Sequence, residues 1–154
     1  MADYYADSSV LVKRHIAEIG SAWVRALVDP ALGNLITTMH ISVVEVYSAL
    51  NRRVREATLT PADYVRMVAD FDALCGGQYT LVDFTGSIAA RARDLLEQHP
   101  LRAYDAVQLA SALVVNDVLV ATGLPALTFL AADDRLVRAA LAEGLAAENP
   151  NLYP

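Results

Sequence analysis

Four acidic residues interrupt segments that are otherwise apolar or small: Asp7 in YYADSSVLV, Glu45 in ISVVEVYSAL, Asp105 in RAYDAVQLASALVV and Asp133 in LTFLAADDRL. An ionised carboxylate is expensive to take out of water unless partners or a bound cation compensate it. A fold for this chain must therefore push four acids out of four core-forming segments, or gather them at one buried or cleft-lining place. The second arrangement is the pattern of a metal site, and carboxylate oxygens are the ligands that hard divalent cations take.

The local patterns say how the gathering happens. Asp3 to Asp7 reads as a strand, with Ser8 and Ser9 capping a helix from Val10. Leu35 to Met39 reads as a second strand, followed by a helix from Ile41 to Ala57. Thr60-Pro61-Ala62-Asp63 is a helix start, with Thr as cap, Pro at the first helical position and Asp in the first turn, and that helix stops at Gly76-Gly77. Tyr79 to Phe84 is a β-type run, Ser87 to Gln98 a helix ended by His99-Pro100, and Ala103 to Val115 an apolar helix. Leu127 to Ala131 is a strand, Arg135 to Glu143 a helix ended by Gly144, and the tail holds one last short strand.

Short β-rich runs alternating with longer helices imply an α/β fold with a mainly parallel central sheet. On this reading Asp7 and Asp133 fall at the C-terminal ends of strands, and Glu45 and Asp105 in the first turns of helices. Ligands of open α/β sheets gather at that edge. Four acids distant in sequence converge there on one cleft.

The chain has 154 residues and no repeat, low-complexity segment or dividing linker, so a single domain over 1–154 is expected. Hydrophobic residues are 55% and charged residues 19%, with mean hydropathy +0.33, which implies a large core. The apolar stretch from Ala103 to Ala132 is broken by Asp105, Gln108, Asn116, Asp117 and Gly123-Leu124-Pro125, so no membrane span is expected. Asp3 and two tyrosines stand where a signal peptide would carry a basic patch and an apolar core, and the lone Cys75 forms no internal disulfide. A cytoplasmic protein fits both observations. The net charge of -6 counts against a simple nucleic-acid binder with a basic face, but the four singled-out acids supply four of those charges and cations would neutralise them locally.

Each acid also has an ordinary reading. Asp7 is a natural helix cap, although two serines beside it offer the same service. Glu45 has small neighbours at helical spacing and, further along that side, Arg52 as an ion-pair partner. Asp105 gains from the dipole in a first helical turn. Asp133 and Asp134 divide a cap and a solvated position between them, with Asp133 the nearer to the strand end. The remaining helical acids, such as Asp63, Asp70, Asp72, Asp94, Glu97 and Glu143, read as solvated faces, and His15, His40 and His99 as surface or cap residues. Lys13, Arg14 and the Arg52-Arg53-Arg55 run form either a solvated face or an approach to phosphates. No P-loop, dinucleotide fingerprint, nucleophile elbow or zinc HExxH motif occurs, which sets aside nucleotide-binding and covalent-serine enzymes.

At these residues the chain resembles the PIN-domain family, and most the VapC-type toxins of bacterial toxin–antitoxin pairs. Four motifs in order carry the resemblance across nearly the whole chain. YYADSSVLVKRH is similar to the opening strand with its first catalytic Asp and following Ser, and ISVVEVYSALNRR to the helix with the catalytic Glu. RAYDAVQLASAL is similar to the helix with the third acid, and FLAADDRLVRAALAEGLAAENP to the closing strand, last acid, helix and Asn-Pro tail.

The resemblance implies a three-layer α/β/α sandwich, a homodimer, and Mg²⁺- or Mn²⁺-dependent cleavage of RNA. It also implies a small VapB-like antitoxin that covers the active site. Carried over residue by residue, Asp7, Glu45, Asp105 and Asp133 become both the catalytic quartet and the metal ligands. One departure stands out: many relatives have Thr or Ser two residues before the last acid, where this chain has Ala131. Two other classes share the acidic pattern, a non-catalytic PIN-like module that binds RNA or antitoxin, and another metal-dependent phosphoesterase.

Overall fold

Parallel strands need crossover connections and cover on both faces, and the chain supplies both. The computed structural model describes residues 1–154. Its strands are β1 (Asp3–Ala6), β2 (Leu35–Met39), β3 (Tyr79–Val82), β4 (Thr128–Leu130) and β5 (Ala146–Glu148). They form one sheet in the order β3-β2-β1-β4-β5, with every neighbouring pair parallel. The helices are α1 (Ser8–His15), α2 (Ser21–Leu27), α3 (His40–Arg55), α4 (Pro61–Gly77), α5 (Gly86–Gln98), α6 (Ala103–Ala121) and α7 (Asp134–Ala142).

Alternation along each strand sorts the core into two layers. Tyr5, Met39 and Phe129 face α5, α6 and α7, where they pack with Ile88, Leu109 and Leu136. Ala6, Ile36 and Leu130 face the other way, toward α1 to α4, among Leu11, Val46 and Phe71. The result is the α/β/α sandwich that the family resemblance implies, around the parallel sheet expected from the strand and helix pattern. Tyr5 and Phe129 lie on adjacent strands with ring centroids 5.9 Å apart. Truncating a fully buried aromatic such as Phe71 to Ala costs about 3–5 kcal/mol.

The strand order also fixes where a cleft opens. From β1 the chain moves outward through β2 to β3, then returns across to β4 and β5 on the other side of β1. The connections therefore diverge between β1 and β4, the switch point at which open α/β sheets leave a crevice beyond their strand ends. Asp7 follows β1 directly and Asp133 lies three residues beyond β4.

Several local expectations need correction. Asp7 itself caps α1, accepting from the Val10 amide at 3.2 Å, so the helix begins at Ser8 and the serines do not cap it. Glu45 is the sixth residue of α3 and sits in its second turn, because the helix starts at His40. The helix from Ala103 runs past Val115 to Ala121. Its polar pair is accommodated at the rim of the core: the half-buried Asn116 accepts from the Leu127 amide at 3.1 Å, and the exposed Asp117 meets Arg91 at 3.3 Å. α6 is long and apolar enough by composition to cross a membrane, yet Ala106 to Leu113 is largely buried in the core beside α5.

α2 was not legible, since nothing between His15 and Asn34 shows strong periodicity. It begins after Gly20, whose φ of +82° and whose contact with Pro150 leave no room for a side chain: a Cβ would lie 2.3 Å from the Pro150 carbonyl oxygen. Lys13 and His15 are not surface residues. Lys13 Nζ donates to the Ile19 carbonyl at 2.7 Å and to Glu18 at 3.0 Å. The His15 side chain is 3% exposed, edge-on to Phe71, and burial lowers its pKa.

Candidate metal centre

Asp7 is pinned from three directions. Its backbone amide donates to the Leu130 carbonyl at 3.1 Å, which extends the β1–β4 ladder by one residue. Its carboxylate caps α1 and accepts a 2.5 Å hydrogen bond from Ser9 Oγ. Ser9 Oγ in turn accepts from the Ala132 amide at 2.9 Å, tying the β4–α7 loop to the same acid. Position 131 is a buried Ala, and the hydroxyl that reaches this loop comes instead from α1.

No cation side chain reaches Asp7, which is 6% exposed. Desolvation pushes its pKa from 3.8 up to about 7 against the pull of Ser9 and the Val10 amide, and the negative charges of Glu45 and Asp105 add to the rise. An acid held in this state near neutrality is the sort of perturbed group that marks a functional site.

Glu45 is held from two sides. Ser8 Oγ donates to Oε2 at 3.1 Å and Gln108 Nε2 to Oε1 at 2.8 Å. Gln108 is buried on α6, one turn after Asp105. Its Nε2 also lies 2.8 Å from Ser42 Oγ, its Oε1 accepts from the Tyr5 hydroxyl at 3.0 Å, and Ser42 Oγ accepts from Thr38 at 2.7 Å. A polar chain thus crosses the carboxyl edge of the sheet from β1 and β2 to α3 and α6. Glu45 forms no ion pair with Arg52, contrary to the ordinary reading of its helix spacing.

Asp105 and Asp133 form the outer part. The Asp105 pKa is raised, first by desolvation and then by the charge of Asp133. Asp133 caps α7, accepting from the Arg135 amide at 2.8 Å, and meets the Arg135 guanidinium at 3.2 Å, which lowers its pKa. Asp134 turns to the tail, where its carboxylate accepts from Asn149. Asp133 is therefore the member of this pair that faces Asp105.

The four positions singled out in the sequence lie around the carboxyl edge of β1, but no three of their side chains close on one point at ligand spacing. The donor set nonetheless fits a hard cation: all its groups are carboxylate or hydroxyl oxygens, and the innermost acid has no other positive neighbour. Mg²⁺ suits a spread arrangement of this kind, because it retains several waters and takes few direct carboxylates. Sequence reasoning missed Ser9 and Gln108 as the residues that hold the acids. Gln108 did carry a signal, as a lone amide one turn beyond Asp105 on an apolar helix.

A cleft of about 410 Å³ opens over this edge, lined by Ser8, Ser9, Glu45, Arg52 and Arg102 among others. Arg53 at its rim pairs with Glu18 at 2.9 Å, whereas Arg52 and Arg102 pair with no carboxylate. A cleft that carries Glu45 and two guanidinium groups free of ion pairs in its lining can hold a phosphate beside a cation.

Residues 4–141 match the family model described as PIN domain. Two Mycobacterium tuberculosis proteins, Ribonuclease VapC45 and Ribonuclease VapC49, are each 31% identical to this chain over 150 residues, covering 97% of both sequences. Among solved structures, VapC20 of M. tuberculosis, described as a sarcin-ricin loop cleaving toxin, matches with a TM-score of 0.61 at 16% identity over 98% of this chain and 99% of that one. A toxin–antitoxin complex from Klebsiella pneumoniae matches with a TM-score of 0.61 at 17% identity, over 97% and 98% of the two chains. With its fold, its acidic edge and these likenesses agreeing from end to end, the chain belongs to the PIN-domain family and is similar throughout its length to VapC-type proteins.

Proposed function

We propose that this protein is a VapC-type toxin, a cytoplasmic endoribonuclease that hydrolyses RNA phosphodiester bonds with Mg²⁺ or Mn²⁺ and is held inactive by a small VapB-like antitoxin. The observation that carries this reading is the Asp7 carboxyl, buried at the switch point of the sheet without a cationic partner and next to Glu45 and Asp105. Such a group is strained as an anion unless a cation joins it. The names of the two ribonuclease relatives supply the substrate class.

Asp7, Glu45 and Asp105 would hold the ion, with Asp133 at its outer side. When bound, Mg²⁺ or Mn²⁺ activates water and stabilises negative charge on the phosphate. Ser9 orients Asp7, and Ser8 and Gln108 orient Glu45, so the acids are held before substrate arrives. Arg52 and Arg102 bring the phosphate to the cleft. The Asp133–Arg135 pair keeps that carboxylate ionised. No side chain here is placed as a covalent nucleophile, so the protein's part is position and charge.

The antitoxin belongs to the same reading, supported by solved neighbours described as a toxin–antitoxin complex from K. pneumoniae and as VapBC2 from Rickettsia felis bound to a promoter DNA fragment, and the homodimer enters it through the family resemblance alone. The test is incubation of a mixed RNA pool with purified protein and Mn²⁺, against EDTA and the Asp7→Asn variant. Cuts that need Mn²⁺ and vanish in Asp7→Asn are expected. A folded, Mn²⁺-binding protein that leaves every RNA intact would point instead to a binding module.

A further inference from the structure

Resting on the nuclease reading, we propose that an apolar pocket beside the acidic cleft is a subsite for one unpaired nucleobase of the RNA, stacked against Tyr104 and Phe84. The pocket measures about 250 Å³ and is lined only by Ile41, Phe84, Tyr104 and Val107. It sits where the start of α3, the start of α6 and the segment after β3 meet. Its volume is below that of an ordinary small-molecule site, which suits a single flat ring.

Its position identifies the occupant. Ile41 and Tyr104 also line the adjoining part of the cleft, together with Ser8, Glu45 and Arg52. Tyr104 is thus a shared wall: Glu45 and Arg52 are on one side, the apolar pocket on the other. Tyr104 also immediately precedes Asp105 in the chain. A nucleic acid strand that sets a phosphate against Arg52 carries its neighbouring base to this wall. Arg52, free of a carboxylate partner and lining the part of the cleft that Tyr104 shares, favours a polyanion over an apolar peptide at this place.

The chemistry of the lining sets what is read. Tyr104 and Phe84 are 59% and 60% exposed, so neither is there to fill the core. Aromatic faces stack on any base, and the other two lining side chains are aliphatic, so the pocket accepts a base by stacking without selecting its hydrogen-bonding edge. A base inside a duplex cannot enter. The substrate class is therefore single-stranded or loop RNA, whose bases can be splayed outward, and sequence preference arises elsewhere in the cleft.

The test uses the full chain with a labelled eight-nucleotide RNA in Ca²⁺, read by fluorescence anisotropy, with one abasic residue walked through the RNA. Tyr104→Ala and Phe84→Ala should each weaken binding of intact RNA about tenfold, and Tyr104→Phe should restore it. One abasic position should weaken wild-type binding by the same factor, and that RNA should bind wild type and Tyr104→Ala equally. Equal binding of intact RNA by wild type and both Ala variants overturns the subsite, as does an absence of RNA binding. So does a loss that sedimentation traces to a dimer falling apart, which would make the patch a face between copies of this chain. Cleavage of the same RNA in Mn²⁺ separates the two proposals: cutting that is unchanged in Tyr104→Ala, with unchanged binding, removes the subsite and leaves the nuclease. The predicted binding pattern without cutting removes the nuclease and leaves the subsite.

Discussion

The inner and outer parts of the acidic edge solve the same electrostatic problem in opposite ways. At the inner part, Asp7 and Glu45 are held by hydroxyls, an amide side chain and a backbone amide, and no cationic side chain intervenes. At the outer part, Asp133 has its own guanidinium two residues away and stays readily ionised. Neutral donors orient a carboxylate without cancelling its charge, whereas Arg135 does both. The inner part thus lacks charge balance, whereas Asp133 at the outer part carries its own. A divalent cation gains most where the balance is missing.

The largest effect that this contrast predicts comes from Asp7→Asn. Cleavage should fall by more than the ~10–100-fold that removing an outer partner of a metal site brings, measured with Mn²⁺ in excess. Asn still caps α1, so the fold should persist, whereas Asp7→Ala also forfeits about 1 kcal/mol of capping. The pH dependence has a definite sign. Because the folded pKa is raised from 3.8 to about 7, the protonated acid favours the native state: its contribution is full below pH 4 and is lost as pH rises through 7. Metal-free wild type should therefore lose stability relative to Asp7→Asn between pH 4 and 7, as read from paired thermal melts. His15, whose lowered pKa acts in the opposite direction, is common to both proteins and cancels in the difference. Parallel pH profiles for the two proteins would remove Asp7 from the centre of the argument.

Mn²⁺ gives the second effect. A ligand that binds only the native state stabilises it by RT ln(1 + [L]/Kd), or about 2.7 kcal/mol at a hundredfold excess over Kd. The rise in Tm should be largest at pH 8, where Asp7 is ionised, smaller at pH 5, and largely lost in Asp7→Asn. An equal rise at both pH values would mean that the ion sits with Asp133 instead.

Gln108→Leu is expected to have an intermediate effect. It leaves the Tyr5 hydroxyl without its acceptor and takes a donor from both Glu45 and Ser42, and a stranded buried polar group costs about 1–3 kcal/mol. Chemical denaturation should show that loss. Cleavage should fall as well, because Glu45 keeps only Ser8. Gln108→Glu is the sharper variant: it preserves shape but replaces the amide donor with a carboxylate against Glu45, and should lower both stability and activity.

The contrast between the two parts was only half legible in the sequence. The four acids stood out because each interrupts an apolar segment, the parallel α/β fold followed from alternating strands and helices, and the three-layer sandwich was implied by the family resemblance. The partners that distinguish inner from outer were hidden for a physical reason. Ser9 acts through a capping geometry that the sequence assigned to the serines instead of Asp7, and Gln108 acts across 63 residues of chain on Glu45. Arg135 is local to Asp133, but a pair two residues apart across a helix start depends on which acid becomes the cap. α2 escaped because its position is set by tertiary contacts: Gly20 lies against Pro150, and Trp23 stacks on Tyr153 at 4.6 Å.

The smallest expected effects lie at the outer part, where they separate neighbouring acids. Arg135 is exposed, so Arg135→Ala should barely change stability, but it removes what holds the Asp133 pKa down. Asp133 then ionises at higher pH, but Asp7, raised to about 7, still sets the acid limb of the cleavage profile, which should stay in place with the alkaline plateau retained. Asp134→Asn is the companion control, since that side chain accepts from Asn149 and does not enter the pKa of Asp105. It should leave the cleavage profile within about twofold of wild type, a free-energy change of about 0.4 kcal/mol, while Asp133→Asn depresses the plateau. The reverse ranking of Asp133→Asn and Asp134→Asn would move the fourth acid by one residue and turn the Asp133–Arg135 pair into a plain helix cap.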